Sequence, residues 1–425
     1  MLIVVITMFV VLFAFLAGGL WIGWTLAATG TILLAIFRDI PLDKLLAQYT
    51  WNILTTQELL ALPLFILMGE ILFRTRLSQS LFRGLAPWAA LLPGRLLHVN
   101  VIGCTIFAAI SGSSIVTMLA VGSVLYPAMR NAGYDNKFTL GAIMSGGTLG
   151  IIIPPSIPMI IYGLVTETSI VDLFLAGFGP GILLTLLLSG YAVWMNRHRP
   201  REALDFHECK TAFGRGIWAA LMPVILLGGI YSGWFTATEA AAVALAYAMV
   251  IEVFVHRELK LRDFYAVVLD ASKLGGSLFP VLAVALSLNI IMIEHRIPQG
   301  MVALMQGYID SPLVFILLIN ALLLIVGCLM TTGEAILVLG PLLAPVAAAY
   351  GFDKVLFGVI MILNLEIGYL TPPVGLNLIV AMSAFKQKFG LLCQAVLPFI
   401  LLMLTGLGLV LWQPWIAMYF VTGKF

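Results

Sequence analysis

The run Ser145-Gly-Gly-Thr-Leu-Gly150-Ile-Ile-Ile-Pro-Pro155 breaks an otherwise continuous apolar segment, and Gly368-Tyr-Leu-Thr-Pro-Pro-Val-Gly375 breaks another in the same way. Proline has no backbone donor and disfavours helix at the residue before it, while glycine admits unusual dihedrals. A Gly-x3-Pro-Pro pattern therefore unwinds a helix and frees carbonyls. In hydrocarbon such carbonyls are tolerated only where they line a cavity or are buried in protein. Together with hydroxyls they are the oxygen ligands that a hard cation prefers. Read alone, each break is equally a proline kink between packed helices. Their pairing favours coordination, because interrupted helices in corresponding positions of two halves mark the binding sites of secondary transporters.

The remaining sequence places these breaks in a membrane. Of 425 residues, 62% are hydrophobic, against about 45–50% in soluble domains. At about 20 apolar residues per span, the chain suffices for on the order of ten spans. A net charge of +2 leaves no basic surface for nucleic acid. Cys104, Cys209, Cys328 and Cys393 show no CxxC spacing, and none of the five histidines is spaced as a metal pair, so neither a disulfide framework nor a transition-metal site is expected. Walker A, HExxH and GxSxG motifs are absent, which argues against ATP hydrolysis and against an enzyme. Met1 to Leu20 has no basic n-region or small-residue cleavage site and reads as a retained first helix.

Punctuating residues recur. Pro127, Gly133, Asp135, Gly150, Pro154 and Pro155 return 218 positions later as Pro345, Gly351, Asp353, Gly368, Pro372 and Pro373, and Gly18, Gly19, Gly23 and Trp24 return at an offset of 210 as Gly228, Gly229, Gly233 and Trp234. Duplication is the reading. Spans fall at about 1 to 20, 25 to 37, 52 to 73, 137 to 165 and 172 to 196, with a hairpin over 97 to 130 that enters and leaves on one side. Five spans are an odd number, so the second half begins on the opposite face, with spans at about 216 to 231, 236 to 255, 274 to 293, 355 to 384 and 390 to 420 and a hairpin at 312 to 350. With the N-terminus outside, the cytoplasmic side collects all 22 Lys and Arg except Arg38, Lys44, Arg296, Lys354 and Lys424, as the positive-inside rule requires. The expected architecture is an all-α polytopic membrane protein of two inverted-topology repeats, each with a re-entrant hairpin and a discontinuous helix. Residues 1–196 form the first repeat (scaffold helices 1–96, hairpin and broken helix 97–196). Residues 197–215 form a cytoplasmic linker. Residues 216–425 form the second repeat (scaffold 216–293, hairpin and broken helix 312–384, final helix 390–420).

Each hairpin tip adds hydroxyls. Ala109-Ile-Ser111-Gly-Ser-Ser114 and Met330-Thr331-Thr332-Gly-Glu334 pair Ser113 with Thr331 and Ser114 with Thr332 at the 218 offset. Small residues also let membrane helices pack closely, but hydroxyls in the same register of both halves favour ligation. Intramembrane carboxylates are costly and count as functional candidates. Glu334, at a tip, leads; Glu366, two residues before Gly368, is second or only caps locally. Glu70 pairs with Arg74 one turn away, and Thr236-Ala-Thr-Glu239 is a capping box. Ser114, Thr117, Thr332, Asn364 and Asn377 are tentative substrate contacts, the two amides being equally common as interhelical glue. Arg74 to Arg95 reads as an amphipathic interfacial helix that braces or docks.

Gly112-Ser-Ser114, Gly146-Gly-Thr-Leu-Gly-Ile-Ile-Ile-Pro-Pro-Ser156, Gly233-Trp-Phe-Thr-Ala-Thr-Glu-Ala240 and Asn364-Leu-Glu-Ile-Gly-Tyr-Leu-Thr-Pro-Pro-Val-Gly-Leu-Asn377 resemble the large membrane subunit of tripartite ATP-independent periplasmic (TRAP) transporters, in order and over nearly the whole chain. The resemblance implies a bacterial inner-membrane permease with a periplasmic N-terminus. It implies sodium-driven uptake of an organic acid delivered by a periplasmic substrate-binding protein, a small four-helix membrane subunit as partner, and an elevator motion as in the ion transporter superfamily. No cofactor beyond the coupling sodium ion is implied. It assigns a first sodium site to Ser111, Ser113 and backbone at Gly150, Ile153 and Pro155, and a second to Thr331 with backbone near Gly368, Thr371 and Pro373. Relatives commonly carry Asp at the position of Thr331; Glu334 is the residue expected to supply the missing charge. The alternatives are a stand-alone ion-coupled anion carrier of related fold, an intramembrane enzyme and a passive channel.

Overall fold

The computed structural model describes residues 22–37, 55–75, 77–88, 93–199, 206–294 and 296–422, with Trp51 and isolated positions before Ile22. The expected first helix lies mostly outside the described residues. Among those described, regular structure is helical throughout. The first half contains α1 (Ile22–Phe37), α2 (Ala61–Arg74), α3 (Leu77–Leu85), α4 (Arg95–Ser111), α5 (Ser114–Asn131), α6 (Asn136–Ile152), α7 (Ile157–Thr166) and α8 (Ile170–Met195). The second contains α9 (Phe206–Tyr231), α10 (Ala237–Val250), α11 (Leu261–Glu294), α12 (Ile297–Gln306), α13 (Pro312–Leu329), α14 (Thr332–Ala349), α15 (Lys354–Leu370), α16 (Leu376–Phe385), α17 (Phe389–Trp412) and α18 (Trp415–Thr422). Among the described residues, six helical stretches are long and apolar enough to cross a membrane, including both limbs of the α13–α14 hairpin.

Positions 218 apart adopt the same local structure. Ser113 and Thr331 are the N-caps of α5 and α14. Gly133 and Gly351 take φ of 71° and 89° where the chain turns out of each hairpin, a region open to glycine at no steric cost. Asp135 and Asp353 accept backbone N–H bonds at the starts of α6 and α15. The breaks open at Ile153 (φ −82°, ψ 126°) and Thr371 (φ −90°, ψ 126°), and Pro154–Pro155 and Pro372–Pro373 are both cis.

Packing divides the helices. α1 and α2 lie against α11, α2 also against α10, and α9 against α3 and α10; α4 to α8 pack among themselves and with α15 to α18, while α13 packs on α15 and α14 on α7 and α15. Arg74 ties α2 to α11 through Asp270, with Glu70 3.6 Å from Arg74 and Lys273 2.9 Å from Asp270. The expected Glu70–Arg74 pair is therefore one arm of a larger cluster. The Thr236–Glu239 capping box is present.

Several boundaries differ from expectation. Residues 206–215, expected as linker, are helical: Cys209 and Ala212 are buried, and α9 meets α3 so closely that a Cβ on Gly84 would sit 3.0 Å from the Gly216 Cα. The span expected at 274–293 is the apolar end of α11, whose 34 residues reach about 51 Å and protrude beyond a hydrocarbon layer of about 30 Å. Its first turns carry Arg262, Asp263, Asp270 and Lys273, which hid them from a hydropathy reading. The final helix is split at Gln413-Pro414, since proline disfavours helix at the preceding residue. The amphipathic helix between Arg74 and Arg95 is α3, with Leu81 and Phe82 buried against protein, which makes it a brace.

Candidate functional site

At the first tip, α4 ends where Gly112 turns left-handed (φ 60°). Nothing larger fits there: a Cβ would meet the Pro155 carbonyl oxygen at 3.0 Å. Ile157 N–H, just beyond the break, donates to the Gly112 carbonyl at 3.3 Å, so tip and break are one unit. The Ser111 and Thr117 hydroxyls are 2.7 Å apart. Gly150 lies against both neighbours of this pair, since a Cβ there would be 2.5 Å from the Ser113 carbonyl oxygen and 2.5 Å from Thr117 Oγ1. Residues four after Gly150 and Ile151 are Pro154 and Pro155, so the helix offers no donor to those two carbonyls. Ser111, Ser113, Gly150, Ile153 and Pro155 thus belong to one oxygen-rich corner, and Thr117, expected among the tentative substrate contacts, lies with them.

The second tip repeats the plan with different chemistry. Gly375 N–H, 218 positions after that of Ile157, donates to the Cys328 carbonyl at 3.1 Å. Gly368 presses on the hairpin backbone, where a Cβ would be 2.7 Å from the Gly327 Cα. Thr371 ends α15 and its hydroxyl donates to the Ile367 carbonyl at 2.8 Å. Thr331 and Glu334 form a reciprocal capping box: Glu334 N–H donates to Thr331 Oγ1 at 3.2 Å, and Thr331 N–H donates to Glu334 Oε2 at 3.1 Å. Glu334 therefore stands at the tip as expected, with one oxygen engaged in holding the helix start. Pro373 is exposed in the break.

Between the tips lies a third group. Ser114 Oγ is 3.1 Å from Asn377 Nδ2 and 3.3 Å from its Oδ1. Thr332 N–H donates to the Tyr369 hydroxyl at 2.7 Å, and Thr332 Oγ1 donates to Glu366 Oε2 at 3.5 Å. Ser114 and Asn377 also reach the Glu366 carboxylate, which is 0% exposed. Ser114, Thr332 and Asn377 are thus brought together, whereas Asn364 is not. Its amide donates to Asn320 on α13, 3.1 Å from the backbone oxygen and closer still to Oδ1, as interhelical glue. Glu366, ranked second among the carboxylates on sequence, lies at the centre of this group, and Tyr369, which the sequence did not single out, joins it. The available signal was a carboxylate inside an apolar run with no basic residue one turn away.

Two clefts flank this assembly where the two packing groups meet. One, of about 540 Å3, lies between Ala120, Ser123 and Val124 of α5 and Ala266 and Val267 of α11. The other, of about 560 Å3, lies between Gly163 and Leu164 of α7 and Thr238 of α10.

A helical membrane chain whose polar groups gather at helix breaks and hairpin tips belongs to the class of multi-pass membrane transport proteins. The sequence model described as "Tripartite ATP-independent periplasmic transporter, DctM component" matches residues 9–416. The C4-dicarboxylate TRAP transporter large permease protein DctM of Rhodobacter capsulatus is 35% identical over 96% of this chain and 97% of its own. The 2,3-diketo-L-gulonate TRAP transporter large permease protein YiaN of Escherichia coli is 36% identical over 94% of each. The isethionate TRAP transporter permease protein DctMQ of Oleidesulfovibrio alaskensis is 38% identical over 94% of this chain, which spans 63% of that longer protein. The chain belongs to the DctM family, the large permease component of TRAP transporters. In fold it is similar to the YdaH transporter of Alcanivorax borkumensis, with a TM-score of 0.57 over 93% of this chain and 98% of that one at 14% identity.

Proposed function

We propose that this chain is the large inner-membrane subunit of a TRAP transporter, that its two halves are inverted repeats, and that it moves an organic acid inward by sodium symport with an elevator motion. The observation that carries the reading is the pair of tip-and-break units. Each presses a glycine of a broken helix (Gly150, Gly368) onto the preceding hairpin and joins break to tip by one backbone hydrogen bond. Carbonyls released by proline beside hydroxyls suit a desolvated sodium ion.

Sodium at Ser111, Ser113, Gly150, Ile153 and Pro155, and at Thr331, Gly368, Thr371 and Pro373 with the Glu334 charge nearby, orders the tips and offsets the cost of burying a substrate carboxylate. Substrate then meets Ser114, Thr332 and Asn377. Relatives named for C4-dicarboxylates and 2,3-diketo-L-gulonate support an organic acid as the cargo. A relative named DctMQ supports a small membrane subunit as partner, with a periplasmic substrate-binding protein as donor of cargo.

The test is uptake into proteoliposomes holding this subunit, its small partner and the binding protein. An inward sodium gradient is expected to drive accumulation, and leaving out the binding protein to abolish it. Uptake that follows a proton gradient and ignores sodium overturns the coupling; uptake without the binding protein points to a stand-alone carrier.

A further inference from the structure

We infer that Glu366, Ser114, Thr332 and Asn377 form a site for a sodium-sized monovalent metal cation between the two hairpin tips, distinct from the two sites built on the breaks. This rests on the reading of the chain as a sodium-coupled carrier and adds a third ion position to it. Glu366 is 0% exposed and, among the described residues, forms no ion pair. Its Oε2 accepts a long bond from Thr332 at 3.5 Å, and although Ser114 and Asn377 stand beside the carboxylate, no donor meets its Oε1 in good hydrogen-bond geometry. Buried in its ionised form, a carboxylate with an idle oxygen is strongly disfavoured unless a cation, whether a proton or a metal ion, accompanies it; oxygen donors converging from three helices suit the metal ion.

What faces Glu366 is polar and uncharged: the Ser114 hydroxyl from α5, the Thr332 hydroxyl from α14, and the Asn377 amide from α16. Both ends of that amide approach Ser114 within 3.3 Å, and amide orientation follows the hydrogen-bond partners present, so Asn377 is free to turn its oxygen inward. Carboxylate, hydroxyl and amide oxygens are a hard-cation donor set. The ligands come from both hairpins and from both limbs around the second break, so a bound ion fastens the two halves at the point where substrate is expected. A lysine or arginine would have filled the charge permanently; an exchangeable ion makes closure of the tips depend on sodium.

The experiment is equilibrium binding of radioactive sodium to the purified full chain with its small partner, at constant ionic strength set with choline chloride. Glu366→Gln is expected to bind one sodium fewer than the wild type. Thr332→Val and Asn377→Ala are expected to keep the full count at saturation while weakening one component roughly tenfold or more, as loss of one ligand-shell group does. An unchanged count and affinity in Glu366→Gln overturns the site. If that variant does not fold, Ser114→Ala decides: unaltered sodium affinity in every component overturns the proposal. A wild type that binds no sodium overturns this site together with the coupling reading, whereas a wild type that binds sodium with indifferent variants overturns this site alone.

Discussion

Glycines and carboxylates carry the sharpest tests at the scale of single residues. A methyl group on Gly150 would meet the Ser113 carbonyl and Thr117 Oγ1 at 2.5 Å, and one on Gly368 would meet the Gly327 backbone at 2.7 Å. Neither neighbour is the far end of a flexible chain. Gly150→Ala and Gly368→Ala are therefore each expected to cost about 1–3 kcal/mol through overpacking, read as a lowered unfolding temperature of the purified protein, and to pry tip from break so that sodium-dependent uptake falls further than stability does. Glu334 separates charge from capping. Glutamine serves the same capping-box position, so Glu334→Gln is expected to leave thermal stability nearly unchanged while raising the sodium concentration for half-maximal uptake. Unaltered sodium dependence would remove Glu334 from the second site. Glu366, by contrast, caps nothing, which is why its loss is expected to be read in ion binding.

Helices show where local chemistry was sufficient and where it was not. The tips and breaks were legible because glycine, proline and Asp or Thr caps act within a turn of themselves: Asp135 and Asp353 punctuate their helices whatever surrounds them. Replacing either by Ala is expected to destabilise the fold by about 1 kcal/mol, with similar shifts in the two variants because the caps occupy equivalent places. The start of α9 and the full length of α11 were not legible, since polar surfaces there are matched by partners distant in sequence. Arg74 and Asp270 are such partners. Hydrogen bonds from Lys273 and Arg74 hold the Asp270 carboxyl, which precedes the span expected at 274 to 293, below the usual carboxylate range. A depressed folded-state pKa means that its stabilisation is present at neutral pH and is lost as pH falls through that lowered value. Asp270→Asn is accordingly expected to lower the unfolding temperature at pH 7 and to narrow its difference from wild type in acid, as pH falls through the lowered value at which the native carboxyl protonates.

For the whole molecule, the elevator reading requires α5 and its hairpin to slide past α2 and α11, and the cleft between α5 and α11 would give that motion room. The site between the tips was only half legible at this scale: Ser114, Thr332 and Asn377 were identified by type, but only the fold sets Glu366 of α15 beside Ser114 of α5. The same fold supplies a decisive pair. Ala120, on the side that the elevator reading moves, and Val267, on the side it holds fixed, line one cleft, whereas Gln57 and Thr238, joined by a 3.2 Å hydrogen bond, both fall on the side it holds fixed. In a background lacking the half-buried Cys393, cysteines at 120 and 267 joined by a short, reducible thiol cross-linker are expected to abolish uptake, with recovery on reduction. The same cross-link between positions 57 and 238 is expected to leave uptake largely intact, because it spans no moving boundary. Full activity of the 120–267 cross-linked carrier would mean that α5 and α11 travel together, and transport would then have to proceed by opening of the tips alone.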